Sequence, residues 1–255
     1  MESKLRAAID DLGRGTGVPA PLVEEILHRL RPSVRLCPDV PGQDENAPPA
    51  ARLGGLPRMP EDMAWPDGGE PHIATIDCAV LPRDVLDIEL PEDGHLLVFA
   101  DIVDADGSAA VRYVPAGSET VERGPRITNE DGYSWDVTVY EPAPLYAVVV
   151  PSFDDDWETL PLAREFMERF PSGSRTLEDF TSGLDALLDT SRFASIRIGG
   201  HSRYFQIPPE EDGLTHFLSV FGDPICGSPF DVALAGTPED MAARRYEELQ
   251  IYLGG

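Results

Sequence analysis

Two short stretches place reactive groups beside unusual backbone: Arg52-Leu53-Gly54-Gly55 and Arg197-Ile198-Gly199-Gly200. Each sets an arginine next to a glycine pair that permits positive φ or close backbone approach. Trp65 and Asp77 follow the first stretch, and His201, Ser202 and Gln206 follow the second. Arg52, Gly54, Gly55, Trp65, Asp77, Arg197, Gly199, Gly200, His201 and Gln206 therefore make up the candidate ligand-binding set, in a cleft between two halves of the chain. The competing reading is structural: the glycines are bends, Trp65 seals the core, and Arg52 and Arg197 pair with carboxylates.

Other chemistries find little support. No G-x-S-x-G elbow is present, and the adjacent His201 and Ser202 lack the geometry of a base and its nucleophile. Cys37, Cys78 and Cys226 form no C-x-x-C pair, so neither a disulfide framework nor a zinc knuckle is expected; a spatial pairing of Cys78 or Cys226 with His72, His95 or His216 stays open. If Gly107 of Asp104-Ala105-Asp106-Gly107 were position 6 of a calcium loop, positions 1 and 12 would be Ile102 and Tyr113, which are not ligands; a tight hairpin turn is the reading. Asp154, Asp155 and Asp156 beside Trp157 read as a solvated loop. Neither Gly-Gly element has phosphate-loop spacing or leads into a helical pattern. No metal or cofactor is expected, no catalytic residue is assigned, and enzyme activity is left open.

The elements that must position these groups follow from periodicity. Leu5, Ala8, Ile9 and Leu12 predict a helix near 2–13 with Gly13 and Gly15 as stop signals, and Val23, Ile26, Leu27 and Leu30 predict a second. Residues 1–36 thus read as an N-terminal helical segment, 37–51 as a surface loop, and 50–255 as a single domain. Short apolar runs from 72 to 150 read as strands, antiparallel because the gaps are too short for crossover helices. HLLVFADIV is predicted to be a central strand buried on both faces. Helices are expected at 160–170 and 176–189, the latter opened by a capping box of Thr176 and Asp179. Strands are expected at 214–222, 229–236 and 249–253, with a helix capped by Thr237 before the last. The fold class is α+β: a mostly antiparallel sheet built from two halves that the Gly-Gly repeat would relate, with N-terminal and central peripheral helices.

Charge bears on partners. The 255 residues carry 46 acids against 20 bases, a formal charge of −26, which disfavours nucleic acid and anionic membranes. Residues 1–35 hold five acids and six bases, so that segment is electrically distinct and is expected to lie against the acidic body. No signal pattern or long apolar run is seen, and a reduced cytoplasmic location is expected.

The stretch R-L-G-G-L-P-x-M-P-E-D-x-x-W-P (52–66), with I-A-T-I-D-C-A-V-L-P (73–82) and L-P-E-D-G-H-L-L-V-F (90–99), resembles the YwqG-like family, a bacterial domain of unknown function. R-I-G-G-H-S-x-Y-F-Q (197–206) is similar to that family's second Gly-Gly element, and E-D-M-A-A-R-R-Y-E-E (239–248) to its terminal helix. Thr75 stands where the family usually has glutamine, and the family's Trp-Gly-Asp-x-Gly strand is missing. The resemblance implies an α+β fold without an established activity, and association of some members with secreted-toxin systems implies an immunity role. The expectation is a non-catalytic interaction protein, of immunity or accessory type, meeting a basic partner through its acidic surface. The alternative is an enzyme or small-molecule binder with its cleft near the Gly-Gly elements. Oligomeric state is open.

Overall fold

The computed structural model describes residues 3–254 except 41, 43, 45, 104–106, 125, 129–130, 154–156, 171, 189–193 and 203–207. Helices α1 (Ser3–Thr16) and α2 (Ala20–His28) precede β1 (Arg31–Cys37), β2 (Ala51–Leu53), β3 (Arg58–Met59), β4 (His72–Asp77), β5 (His95–Ala100) and β6 (Ala109–Val114). Short strands β7 (Val121–Glu122), β8 (Arg126–Thr128) and β9 (Ser134–Asp136) lead to the long β10 (Ala143–Ser152). Helices α3 (Pro161–Arg169) and α4 (Gly173–Leu188) then precede β11 (Ile196–Ile198), β12 (Thr215–Phe221), α5 (Gly222–Cys226), β13 (Asp231–Gly236), α6 (Pro238–Ala242) and β14 (Gln250–Gly254). Ten strands form one antiparallel sheet in the order β14-β13-β12-β11-β1-β10-β2-β4-β5-β6, which establishes the α+β class.

That order reads the same from either end. Strands β1, β2, β4, β5 and β6 of the first half correspond to β10, β11, β12, β13 and β14 of the second, about an axis between β1 and β10. The registers agree residue by residue: Arg52 lies opposite Thr75 and Leu53 opposite Ala74, as Arg197 lies opposite Ser219 and Ile198 opposite Leu218. Each leading strand crosses over, so β1 pairs with β11 while β10 pairs with β2. Even the irregularities repeat, with a register shift after His72 in β4 and after His216 in β12.

One face of the sheet holds a core drawn from both halves, including Val34, Ile76, Val98, Leu145, Ile198, Phe217 and Leu234. Segments 80–90 and 238–249 fill it, adding Leu81, Ile88, Met241 and Tyr246. On the other face, α1–α4 cover the centre through Ile9, Leu22, Ile26, Leu177, Phe180 and Leu184, packed on Val150. Over the first half, β3 and the loop after it contribute Met59 and Trp65, which close on Leu97 and Phe99.

Several expectations are revised. Residues 31–36 are not part of a helical segment; they form most of a strand at the middle of the sheet. Helix α1 runs through Gly13 and Gly15 to Thr16. Gly13 serves close packing, because a Cβ there would come within 2.7 Å of Val23 Cγ2. Gly183 does the same in α4 against Leu12. Helix α4 begins at Gly173, which leaves Thr176 inside it and the expected capping box unused. By contrast Thr237 caps α6 as expected, accepting from the Asp240 amide at 3.1 Å. Strand β5 is buried on both faces, yet it sits next to the sheet edge. Two bases of the N-terminal segment pair with its own acids, Arg6 with Asp10 and Glu24, and Arg14 with Asp11. Arg31 reaches Asp87 of the body.

All four glycines of the two bends adopt positive φ. At Gly54 a Cβ would stand 2.5 Å from the Tyr140 carbonyl oxygen, a backbone atom, whereas at Gly55 it would meet only the mobile Arg52 guanidinium at 3.3 Å. Gly117 has the same handedness but open space. We expect Gly54→Ala to cost roughly 3 kcal/mol or more, against about 1 kcal/mol for Gly55→Ala and Gly117→Ala. Urea unfolding midpoints check this, and equal losses at Gly54 and Gly117 would show that the close approach is unimportant.

Candidate functional site

The positions singled out in the sequence divide into two groups. Strands β1 and β10 separate β2 from β11 by about 14 Å at ordinary strand spacing, and Arg52 registers with Pro144 but Arg197, through Arg35, with Val148, so the two arginines stand about 20 Å apart and do not line one cleft. In the first half, Arg52 is exposed and donates to the Leu56 carbonyl at 2.8 Å. Trp65 is buried, donates from Nε1 to the Glu70 carbonyl at 3.0 Å, and meets Phe99 edge-on at 5.1 Å. Asp77 ends β4 by accepting from the Ala79 amide. In the second half, Arg197 is buried with its guanidinium carbon 5.7 Å from the centre of the Phe221 ring. Gly200 is packed so closely that a Cβ would strike Ser152 and Ser33. His201 bonds through Nε2 to the Arg29 carbonyl at 2.7 Å, and its amide donates to Ser152. Gln206 lies outside the described residues, as do Asp104 to Asp106 and Asp154 to Asp156.

Two histidines absent from that set anchor the bends. His72 Nδ1 stands 3.0 Å from the Gly55 carbonyl and Nε2 is 3.1 Å from Thr75 Oγ1. His216 Nδ1 stands 3.1 Å from the Gly199 carbonyl and Nε2 is 2.7 Å from Ser219 Oγ. A carbonyl only accepts, so Nδ1 carries the proton in each ring and a neutral Nε2 accepts from the hydroxyl. The glycine amides complete the latch, Gly54 donating to Ile73 and Gly199 to Phe217. His-Ile-Ala-Thr and His-Phe-Leu-Ser, each a histidine with a hydroxyl residue three positions on, are the sequence signal for this pair.

Beyond the latch the halves diverge chemically. Where the first half places Leu97 and Phe99 beneath Trp65, the second has Ala233 and Ala235 at the corresponding register positions. The sheet there carries Arg35 and Arg197 on paired strands, directly opposite one another and exposed by only 7% and 3%. Ser219 lies opposite Arg197, and Asp231 opposite Phe221. Burial pushes the Asp231 carboxyl upward against the opposing effect of the Gly222 amide, which donates to it at 3.0 Å. The first half has Pro144 and Arg52 in place of Arg35 and Arg197.

Nucleophilic chemistry is poorly served by this geometry. Ser202 donates to Glu210, not to His201. Cys37 and Cys78 are buried, and burial raises the Cys78 thiol to about 12, the reverse of activation. Among the described residues no cluster of three His, Cys, Asp or Glu could hold a metal, and no helix is long and apolar enough to cross a membrane.

Burial lowers His72 from 6.5 to about 4, and lowers His216 well below its ordinary value. Between those limits an unfolded chain takes up protons that the folded latches refuse, so stability is full above pH 6.5 and falls as pH drops toward 4. His72 alone accounts for roughly 3 kcal/mol over that window. Acidification also relieves repulsion among carboxylates, so the informative quantity is the difference between wild type and His72→Asn or His216→Asn. We expect each variant to lose less stability than wild type between neutral and acid pH; parallel curves would sink the assignment.

Comparison with curated proteins finds no match. A family model does match, over residues 51–250, a span that takes in both Gly-Gly elements and both histidine latches but leaves β1 outside. The chain belongs to the family described as Domain of unknown function (DUF1963).

Proposed function

We propose that this protein is a non-catalytic interaction module whose acidic surface meets a basic partner protein. The observation that carries the reading is where the cations go. Arg6, Arg14, Arg31 and Arg245 are held in ion pairs, Arg52, Arg58 and Arg123 donate to backbone carbonyls, and Arg244 lies over an aromatic ring. Exposed carboxylates thus face solvent in excess over cations already engaged within the fold. From 208 to the C-terminus the chain carries nine acids against two bases. Such a surface attracts and orients a basic partner and rejects acidic ones. An immunity-type or accessory role in a reduced bacterial cytoplasm is the biological form that this reading takes.

A second reading, a small anionic ligand in the second half, is favoured by one observation: Arg35 and Arg197 are buried side by side where the equivalent positions hold Pro144 and the exposed Arg52. Thermal shift with inorganic phosphate and simple carboxylates, on wild type and Arg197→Lys, tests it separately.

For the main reading, the immobilised protein is exposed at low salt to extract of its source cells, and any retained basic protein is purified and titrated against it. We expect affinity to fall about tenfold or more as salt is raised from low to physiological strength. Absence of a retained basic protein, or affinity indifferent to salt, would defeat the proposal.

A further inference from the structure

Two connections that the halves do not share, 78–94 between β4 and β5 and 237–249 between β13 and β14, meet where the ends of the sheet converge. Between them runs a groove of about 490 Å³. Leu86, Ile88 and Leu90 line it from one side and Met241 and Ala242 from the other. Along 86–90 burial alternates, Leu86, Ile88 and Leu90 turning in while Asp87 and Glu89 are exposed.

The charges around this apolar strip are unequal in number, three carboxylates against two guanidinium groups. Arg83 faces Glu92 at 4.0 Å, and the Arg244 guanidinium carbon lies 4.7 Å from the centre of the Tyr113 ring. Asp84, Glu89 and Glu92 are exposed on the rim, and exposed Glu239, Glu247 and Glu248 continue the same sign along the second wall.

Both walls are braced. Asp87 is tied to Arg31 of β1. On the other side Thr237 caps α6, and Asp240 accepts two bonds from the Arg245 guanidinium, at 2.9 and 2.6 Å. Arg244 holds φ 60°, the one positive value outside glycine among the described residues, a strained setting that the bracing must maintain.

We propose that this groove is the docking surface for a short basic segment of the partner protein. An apolar side chain of that segment seats on Leu86, Ile88, Leu90 and Met241, and flanking lysines or arginines meet Asp84, Glu89 and Glu92. The assignment rests on the acidic-interaction reading and gives it a place. Charge complementarity selects the occupant: around the apolar floor Asp84, Glu89 and Glu92 outnumber Arg83 and Arg244, and Arg83 is set against Glu92.

The test uses two fluorescent peptides of equal length, one all lysine and one with a central leucine pair between lysines, titrated by anisotropy at low salt. Ala242 is exposed, so Ala242→Trp fills the groove without entering the core. Asp84→Asn/Glu89→Gln/Glu92→Gln removes the rim, and Glu165→Gln/Glu178→Gln/Asp179→Asn makes the same charge change on the α3–α4 surface. We expect the leucine peptide to bind about tenfold tighter than the all-lysine peptide, and Ala242→Trp to erase that preference. The rim triple should weaken both peptides about tenfold, and the helix triple by less than about twofold. A preference that survives Ala242→Trp, or two triples with equal effect, overturns the groove while leaving a diffuse acidic interaction standing. If neither peptide binds wild type, both proposals fail. Should Ala242→Trp melt early, the comparison of the two triples decides alone.

Discussion

The structure depends on an exchange of backbone hydrogen bonds at its centre. Strand β1 lies between β10 and β11, while β10 lies between β1 and β2, so each half closes its sheet against a strand of the other. Neither half can satisfy its inner edge alone, and an open row of amides and carbonyls would be left for chance partners. The pairing of β1 with β10 runs from Arg31 opposite Ser152 to Cys37 opposite Tyr146, contacts more than a hundred residues apart in sequence. Formation of the sheet therefore waits on long-range closure, and folding is expected to be slow relative to a meander of the same length.

Once that centre is set, the outer strands are hung from it by two similar latches, which differ in the carbonyl they hold: Gly55, the second of its pair, at His72 and Gly199, the first of its pair, at His216. A left-handed glycine pair turns the chain sharply at the end of β2 or β11, and a buried neutral imidazole bridges the turn to the next strand. Both devices are paid for by burial, since a neutral ring in a dry site costs little while a charged one would cost much. The same latch serves apolar surroundings over Phe99 and polar ones beside Arg197, which shows that it belongs to the scaffold and not to either half's chemistry.

Legibility in the sequence followed how each element is buried. Strands β4, β12, β13 and β14 were evident because apolar alternation and turn residues agree there. The bends were evident because RLGG and RIGG repeat outright, and their surroundings match in the structure. Strand β1 was hidden: the polar Ser33 and Arg35 interrupt Val34 and Leu36, so no apolar run marks it, although both of those polar residues are buried. Glycines in α1 read as stops because a sequence cannot distinguish a helix end from a place where Val23 must come close. The latches were hidden for a related reason, since a lone histidine carries no sign of the carbonyl it will face. Grouping Arg52 with Arg197 in one cleft failed because resemblance of two motifs signals equivalence, and equivalent positions about an axis between strands are held apart by it.

Equivalence also explains where difference can accumulate. Latches and central strands must match for the sheet to close, which leaves the connections as the segments free to diverge. The first half lengthens its β4–β5 connection to 78–94 where the second has the short helix α5, and the second lengthens its β13–β14 connection to 237–249 where the first has 101–108. Both elaborated connections turn inward to the shared core, through Leu81 and Ile88 on one side and Met241 and Tyr246 on the other. They leave their carboxylates outside. A surface made in this way is rigid, because its floor is core, and distinctive, because neither repeat supplies it alone. Loops held by a stiff scaffold are the usual seat of recognition. The proposed docking groove lies at the seam between these two connections, 78–94 and 237–249.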